Sequence, residues 1–339
     1  MSGSHDGGTA TGGIGSDVVE AYLDRLDRAD QAGAVGLALG LLDAGVPVTD
    51  VLVDVVAVAQ REIGRRWLTG SWSVPQEHAA THVSEVVVGA VAARITAAPR
   101  LGHVVTACVE GEWHALAARI VAEVVRAAGW RVTFLGASVP ARHLVSYLHQ
   151  SGPDAVLLSC VQPTRLVRAA RMVESCRAAG VPVVAGGPGF GPDGRWAAAV
   201  GAAAWGATAR DAVRLLDRQV FTGHPTGPSA PTPDDEYVAV LRHRREVVHA
   251  ALRAVDPPEE TADDIATGVA HLVDALAASL RVRDPELLID FVRWQDEVLT
   301  ARGGRRLLDV VLASCERALS EHPRAGHHLR LARVAATDG

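Results

Sequence analysis

A carboxylate two residues ahead of an imidazole is a metal-binding arrangement in embryo, and the chain carries one as Glu112-x-His114 within VEGEWHALAARI. The acid can hold one ring nitrogen and leave the other to meet a metal. Taken alone, a His at a helix start is also an ordinary solvated or capping residue. Further along, Ser159 lies near the end of AVLLSCV, and Gly186 and Gly187 end VPVVAGG. Small residues at such positions leave a groove that a bulky side chain would block, although a Gly–Gly pair also suits a tight turn. Upstream, RRWLTGSWSVPQEHAATHV places Trp67, Glu77 and His78 in a Trp-x9-Glu-His spacing. An indole, a carboxylate and an imidazole are thereby gathered near one helix start. The plainer alternative is a Trp in a bundle core with Glu and His on its surface.

The elements that must position these groups follow from periodicity. Residues 16–98 read as four helices with short links, beginning with Val19, Tyr22, Leu23 and Leu26 on one face. From 99 to 220 the pattern alternates. Strand-like runs at 103–109, 131–136, 155–161, 181–187 and, weakly, 202–206 are separated by helix-length stretches at 114–128, 140–151 and 163–179, and 209–220 follows. That alternation predicts a parallel sheet with helices on both faces, and ligands of such folds sit beyond the carboxyl ends of the strands. His114 and Ser159 fall at those ends. Residues 1–15 read as a disordered leader and 221–235 as a Pro/Gly/Ser/Thr linker. Helices return over 236–339, with Ile265, Val269, Leu272, Val273, Leu276 and Leu280 in one stripe. DPELLIDFVRWQDEVLTARGG (284–304) opens and closes by the usual helix signals.

Bulk composition narrows the function. With 339 residues, 48% of them hydrophobic, a large core is within reach. The net charge of −6 is spread out, and the one basic cluster, RHRREVVHAALR, is offset by acidic flanks, so direct nucleic-acid binding is not expected. No run suggests a membrane span or a secretory signal. Cys108, Cys160, Cys176 and Cys315 lie far apart, which fits a reducing cytoplasm better than a disulfide framework or a zinc site. All 33 basic residues are arginine. That excludes a Schiff-base lysine and a phosphate-loop lysine.

Glu112-x-His114-x-x-Ala117, Ser159-x-Val161 and Gly186-Gly187, in order over about 120 residues, resemble the mark of the cobalamin-binding domain. The family pattern has Gly where Ala117 stands and Leu where Val161 stands. The resemblance implies a five-stranded flavodoxin-like sheet and base-off binding. His114 would be the lower cobalt ligand, and the displaced dimethylbenzimidazole would enter the groove by Ser159 and Gly186. Trp-x9-Glu-His in a bundle just ahead of such a domain resembles the light-sensing adenosylcobalamin photoreceptors known as repressors of carotenoid genes. That likeness implies a bundle capping the corrin, Trp67 packed on the adenosyl group, and Glu77 and His78 in contact with that group or its ribose. A carboxylate accepts from paired ribose hydroxyls, and an indole face shields a photolabile bond from water. Directly after the Trp the carotenoid repressors have a His and this chain has Leu68, which leaves His78, His82 or water as upper ligand after illumination. The chain also has a short leader where those repressors carry a helix-turn-helix.

An all-helical module after a cobalamin photosensor resembles the photocobilins, which add biliverdin in a globin-like domain. The resemblance implies an apolar slot with cations for two propionates. His271 and Arg293 would supply the polar groups and Trp294 a wall, while Cys315 reads as a buried core cysteine. The expectation is therefore a cytoplasmic photoreceptor without catalysis of its own, a homo-oligomer whose assembly changes in light, signalling through an unidentified protein. The alternatives are a corrinoid module of a methyltransferase system, or a cobalamin photosensor whose C-terminal helices bind only protein.

Overall fold

The computed structural model describes residues 14–218, 235–301 and 305–337. The expected leader lies almost wholly outside them, and so does the expected linker up to Asp235. The chain divides into two compact units, one made of residues up to Arg65 together with Ser73–Ile95, the other of Arg66–Trp72 and the chain from Thr96 onward.

The first unit is helical. Ser16–Asp27 buries Tyr22, Leu23 and Leu26, a face spaced at three and four residues. The buried Tyr22 hydroxyl donates to Ser84 Oγ at 3.2 Å, and burial pushes its pKa up to about 12. Gln31–Asp43 starts at Asp30, whose carboxylate accepts from Gly33 N–H at 2.8 Å. A continuous helical run over 48–68, of which residues up to Arg65 belong to this unit, contains a π-helical stretch, Val51–Val56, after which the Ala57 N–H reaches back to Leu52 O. Val74–Ala92 completes the four and buries Val83, Val87, Val88 and Val91.

The second unit holds a five-stranded parallel sheet: β1 (His103–Cys108), β2 (Arg131–Gly136), β3 (Ala155–Ser159), β4 (Val183–Gly186) and β5 (Ala204–Gly206), in the order β2-β1-β3-β4-β5. This doubly wound order reverses direction between β1 and β3, the crevice where ligands bind in such sheets. Helices Ala115–Ala127 and Ala209–Asp217 cover one face, over Val104, Ala155, Leu157 and Val184. Helices Ala141–Ser151 and Leu166–Ala178 lie over the other face.

On that second side the core does not stop at the helix layer. It continues into the C-terminal helices through Val240, Val247, Leu272, Leu276, Leu288, Val292 and Leu312. The region reading as a separate C-terminal domain thus shares one core with the sheet. The reason is visible in Glu259–Val282, which is buried at nearly every position from Val269 to Val282. A helix apolar all round must be enclosed. It packs on Pro163–Arg165 and on Leu166–Ala178. It is also long and apolar enough to cross a membrane by length and composition, a property the sequence reading did not register. The burial of most of it inside the unit accounts for that composition.

Candidate functional site

After β1 the chain doubles back at once. Glu112 N–H donates to Val109 O at 2.8 Å, and Gly111 takes φ +82°, where a side chain is disfavoured. The loop after β2 supports this turn. Ser138 N–H donates to Glu112 O at 2.9 Å, and Gly111 N–H donates to Ser138 Oγ at 3.1 Å. The Glu112 side chain is carried inward and is only 1% exposed. A buried carboxylate has to be paired, and this one is paired on both oxygens. Oε1 meets the His114 backbone N–H at 3.0 Å and ring Nδ1 at 2.5 Å. Oε2 accepts from Val161 N–H at 2.9 Å and Gln162 N–H at 3.0 Å, both in the loop after β3.

Burial, the largest single influence on Glu112, works to raise its pKa. The bonds from the His114 ring and from the His114 and Gln162 backbones, with the imidazole's charge, outweigh it and hold the pKa down at about 2. Glu112 is therefore ionised at neutral pH and steers the ring through Nδ1. Nε2 stands on the far side of the imidazole, whose side chain is 57% exposed. Among the described residues no group of three or more His, Cys, Asp or Glu is placed to hold a metal ion. The site thus offers one oriented nitrogen, which is what a metal already held by a macrocycle requires.

The groove appears as a row. In register across four strands, the terminal residues are Cys108, Ser159, Gly186 and Gly206. The next row on the same face, two residues back along each strand, is Thr106, Leu157, Val184 and Ala204, so this face narrows to small side chains at its carboxyl edge. The two glycines of Gly186–Gly187 differ. A Cβ at Gly186 would meet only Gly206 O, at an ordinary 3.5 Å, so nothing in the protein demands glycine there. A Cβ at Gly187 would stand 2.4 Å from Cys160 O, and its φ is +98°. Gly187 serves the backbone, whereas Gly186 keeps open a space that the protein itself leaves unfilled. Buried Thr106 Oγ1 has no hydrogen-bond partner among the described residues. A corrinoid fits this donor set: one oriented imidazole, a small-residue groove and an orphaned hydroxyl one row below it.

The other expected site residues are distributed as follows. In the first unit, His78 Nδ1 lies 2.5 Å from Glu77 Oε2, and Thr81 Oγ1 donates to Glu77 Oε1 at 2.9 Å. His78 is largely exposed. Trp67 and Trp294, assigned from sequence to two different ligands, lie together in the second unit, with ring centroids 6.4 Å apart and planes at 26°. Phe291 joins them at 5.7 Å from Trp294. His271 lines an open cleft of about 340 Å³ with Arg244, Arg245, Val248, His249 and Ala270. Arg293 and Trp294 are not part of that lining, and Arg293 lies beside Asp290 at 3.9 Å. Arg244 is fixed by a two-pronged bond to Asp274, at 2.9 and 3.1 Å. Burial first, then the charge of Arg165, lowers the His271 pKa. Sequence reasoning missed Cys108, Gly206 and the Val161–Gln162 amides, because their roles depend on strand order and backbone direction. The cluster at Arg244–His249 was visible as an RHRR run but not as a cavity wall.

Comparison with known proteins agrees with this geometry. Residues 102–214 match a model described as B12 binding domain, and residues 18–91 match a second model with the same description. The chain is a cobalamin-binding protein, with a helical N-terminal cap and a Rossmann-like B12 domain. It is 26% identical over 205 residues to trimethylamine corrinoid protein 1 of Methanosarcina acetivorans, covering 58% of this chain and 94% of that one. It is 36% identical over 120 residues to the HTH-type transcriptional repressor CarH of Myxococcus xanthus, covering 35% of this chain and 39% of that one. Its fold resembles that of the Methanosarcina barkeri monomethylamine corrinoid protein, with a TM-score of 0.54 at 20% identity over 60% of this chain and all of that one. The two family models end before the C-terminal helices, at residues 91 and 214.

Proposed function

We propose that the protein is a light sensor that binds adenosylcobalamin base-off, with His114 as lower cobalt ligand. The observation carrying this reading is the buried, doubly bonded Glu112 carboxylate that holds the His114 ring by Nδ1. When bound, that cofactor supplies a cobalt–carbon bond that light breaks. The chain's own residues then have distinct tasks. Glu112 keeps a proton at Nδ1 and so keeps Nε2 basic. Ser159 and Gly186 flank the groove for the displaced base, with Thr106 Oγ1 as a polar contact deeper in. Trp67, Glu77 and His78 are the residues for the adenosyl group, the carboxylate accepting from the ribose. The His271 cleft offers the guanidinium groups of Arg244 and Arg245 for the carboxylates of a biliverdin, with His271 and His249 beside them. Output passes through a change of self-association to a partner protein, in the cytoplasm and without catalysis. CarH similarity over 120 residues supports this reading.

A second reading, a methyl-carrying corrinoid module, is favoured by the match along 94% of a trimethylamine corrinoid protein. Reconstitution with adenosylcobalamin in the dark, followed by weak green light, separates them. A sensor loses its adenosyl group within seconds and changes elution volume, whereas a methyl carrier shows no light-driven change of assembly. The same preparation tests the lower ligand: His114→Ala is expected to change the bound corrinoid's spectrum and weaken binding at least tenfold. An unchanged spectrum and affinity would remove His114 from the cobalt. A red-absorbing band that stays with the protein after addition of biliverdin is expected on the bilin reading.

A further inference from the structure

The C-terminal helices have an unassigned function, and the structure ties them to the cobalt ligand by a short path. Glu112 Oε2 is held by the amides of Val161 and Gln162. The next three residues, Pro163–Arg165, form a 3-10 turn. Long helix Glu259–Val282 packs directly on that turn. Thr164 within the turn is buried, and it lines a cleft of about 140 Å³ together with Asp274 of the long helix.

Arg165 closes the path from the other direction. A Cβ at Gly111, next to Glu112, would stand 2.2 Å from Arg168 Nη1 and 3.7 Å from Arg165 Nε, so both guanidinium groups lie along the turn that carries the ligand pair. The Arg165 Nε is buried and has no hydrogen-bond partner among the described residues. Arg165 also acts electrostatically on His271 of the long helix. Arg165 thus stands beside the Gly111–Glu112 loop, on the turn against which the C-terminal helix packs. A shift of the His114 ring would pull on Glu112, hence on the Val161–Gln162 amides, and the turn beyond touches both Leu166–Ala178 and Glu259–Val282.

We propose that Pro163–Arg165, with Arg165 as its positioning residue, transmits the ligation state of the Glu112–His114 pair to helix Glu259–Val282, making the C-terminal helices the direct receiver of the signal. The proposal rests on His114 ligation as read above, and its test has a separate readout. Amide hydrogen exchange is followed on the full chain, without corrinoid and loaded with hydroxocobalamin in the dark. Loading is expected to slow exchange severalfold both in 159–166 and in 259–282. Arg165→Ala is expected to bind hydroxocobalamin and keep the response in 159–166, but to lose at least half of the response in 259–282, with Arg165→Lys restoring it. A loaded wild type with unchanged exchange in 259–282 overturns the proposal, as does Arg165→Ala with the full wild-type response. Loss of the 259–282 response alone, with binding intact, is not what a merely destabilising substitution gives. The absorption spectrum of loaded His114→Ala reports ligation on its own. A failed ligation reading therefore shows in the spectrum, and a failed relay shows in exchange with the spectrum intact.

Discussion

Two adjacent glycines make the sharpest test of the site at the residue scale. Gly186 has room for a methyl group and an ordinary backbone, while Gly187 has neither. Gly186→Ala is therefore expected to leave stability within about 1 kcal/mol of wild type. It should weaken cobalamin binding about tenfold by crowding the groove, an overpacking cost of about 1–3 kcal/mol. Gly187→Ala should lower stability by about 2–3 kcal/mol, because it adds left-handed strain to a clash with Cys160 O. Denaturant titration and cobalamin titration of both variants separate the two effects. The sequence showed Glu112, His114, Ser159 and the glycine pair, since each sits at the end of a readable strand. It did not distinguish the two glycines, because the contact that constrains Gly187 comes from Cys160, a residue 27 positions away on a neighbouring strand's loop. Cys108 and Gly206 were hidden for the same reason: they enter the row only through the pairing Cys108–Ser159–Gly186–Gly206.

Among the elements, the expected strands and helices of the sheet domain fall where alternation placed them, β2 coinciding at both ends and the others within three residues, while the short helix Arg195–Ala199 was not anticipated. Helix Glu286–Ala301 shows what local signals carry and what they omit. Asp284–Pro285 was legible as a start, and Asp284 Oδ1 does accept from Glu286 N–H at 3.0 Å. The other oxygen accepts from Trp196 Nε1 at 2.8 Å, across 88 residues, and no local pattern announces that bond. Asp284→Ala removes the cap and leaves a buried indole N–H unpaired. A loss of about 2–3 kcal/mol is expected, from a cap of about 1 and an unsatisfied donor of about 1–3. Asp284→Asn, which keeps an acceptor oxygen, should recover part of it; equal destabilisation by both variants in urea melts would remove the capping argument. The His271, Arg293, Trp294 grouping drawn from sequence shows the limit of such reasoning. Adjacent helices were inferred correctly, but which faces meet depends on packing that only three dimensions reveal.

The whole molecule differs from its sequence outline mainly in how the C-terminal helices are held. A Pro/Gly-rich stretch before them suggested a tethered module, yet their apolar positions join the core over helices Ala141–Ser151 and Leu166–Ala178. Helix Leu166–Ala178 buries Leu166, Val167, Ala169, Ala170, Met172, Val173 and Cys176, more than one face's worth. A chain ending at 218 is therefore expected to keep the sheet but to expose this helix. Relative to the full chain, it should form larger particles in light scattering and bind more of a hydrophobic dye. A monodisperse, dye-negative fragment would show the C-terminal helices to be dispensable. Because those helices already occupy one broad flank of the B12 domain, any second copy or foreign protein approaches that side over their exposed residues, charged (Arg293, Arg330) and apolar (Leu331, Val334) alike, rather than over the sheet's own covering layer. The opposite flank, where Ala115–Ala127 and Ala209–Asp217 form the outermost layer within this unit, is the one along which an assembly could still sense the cofactor's groove at first hand.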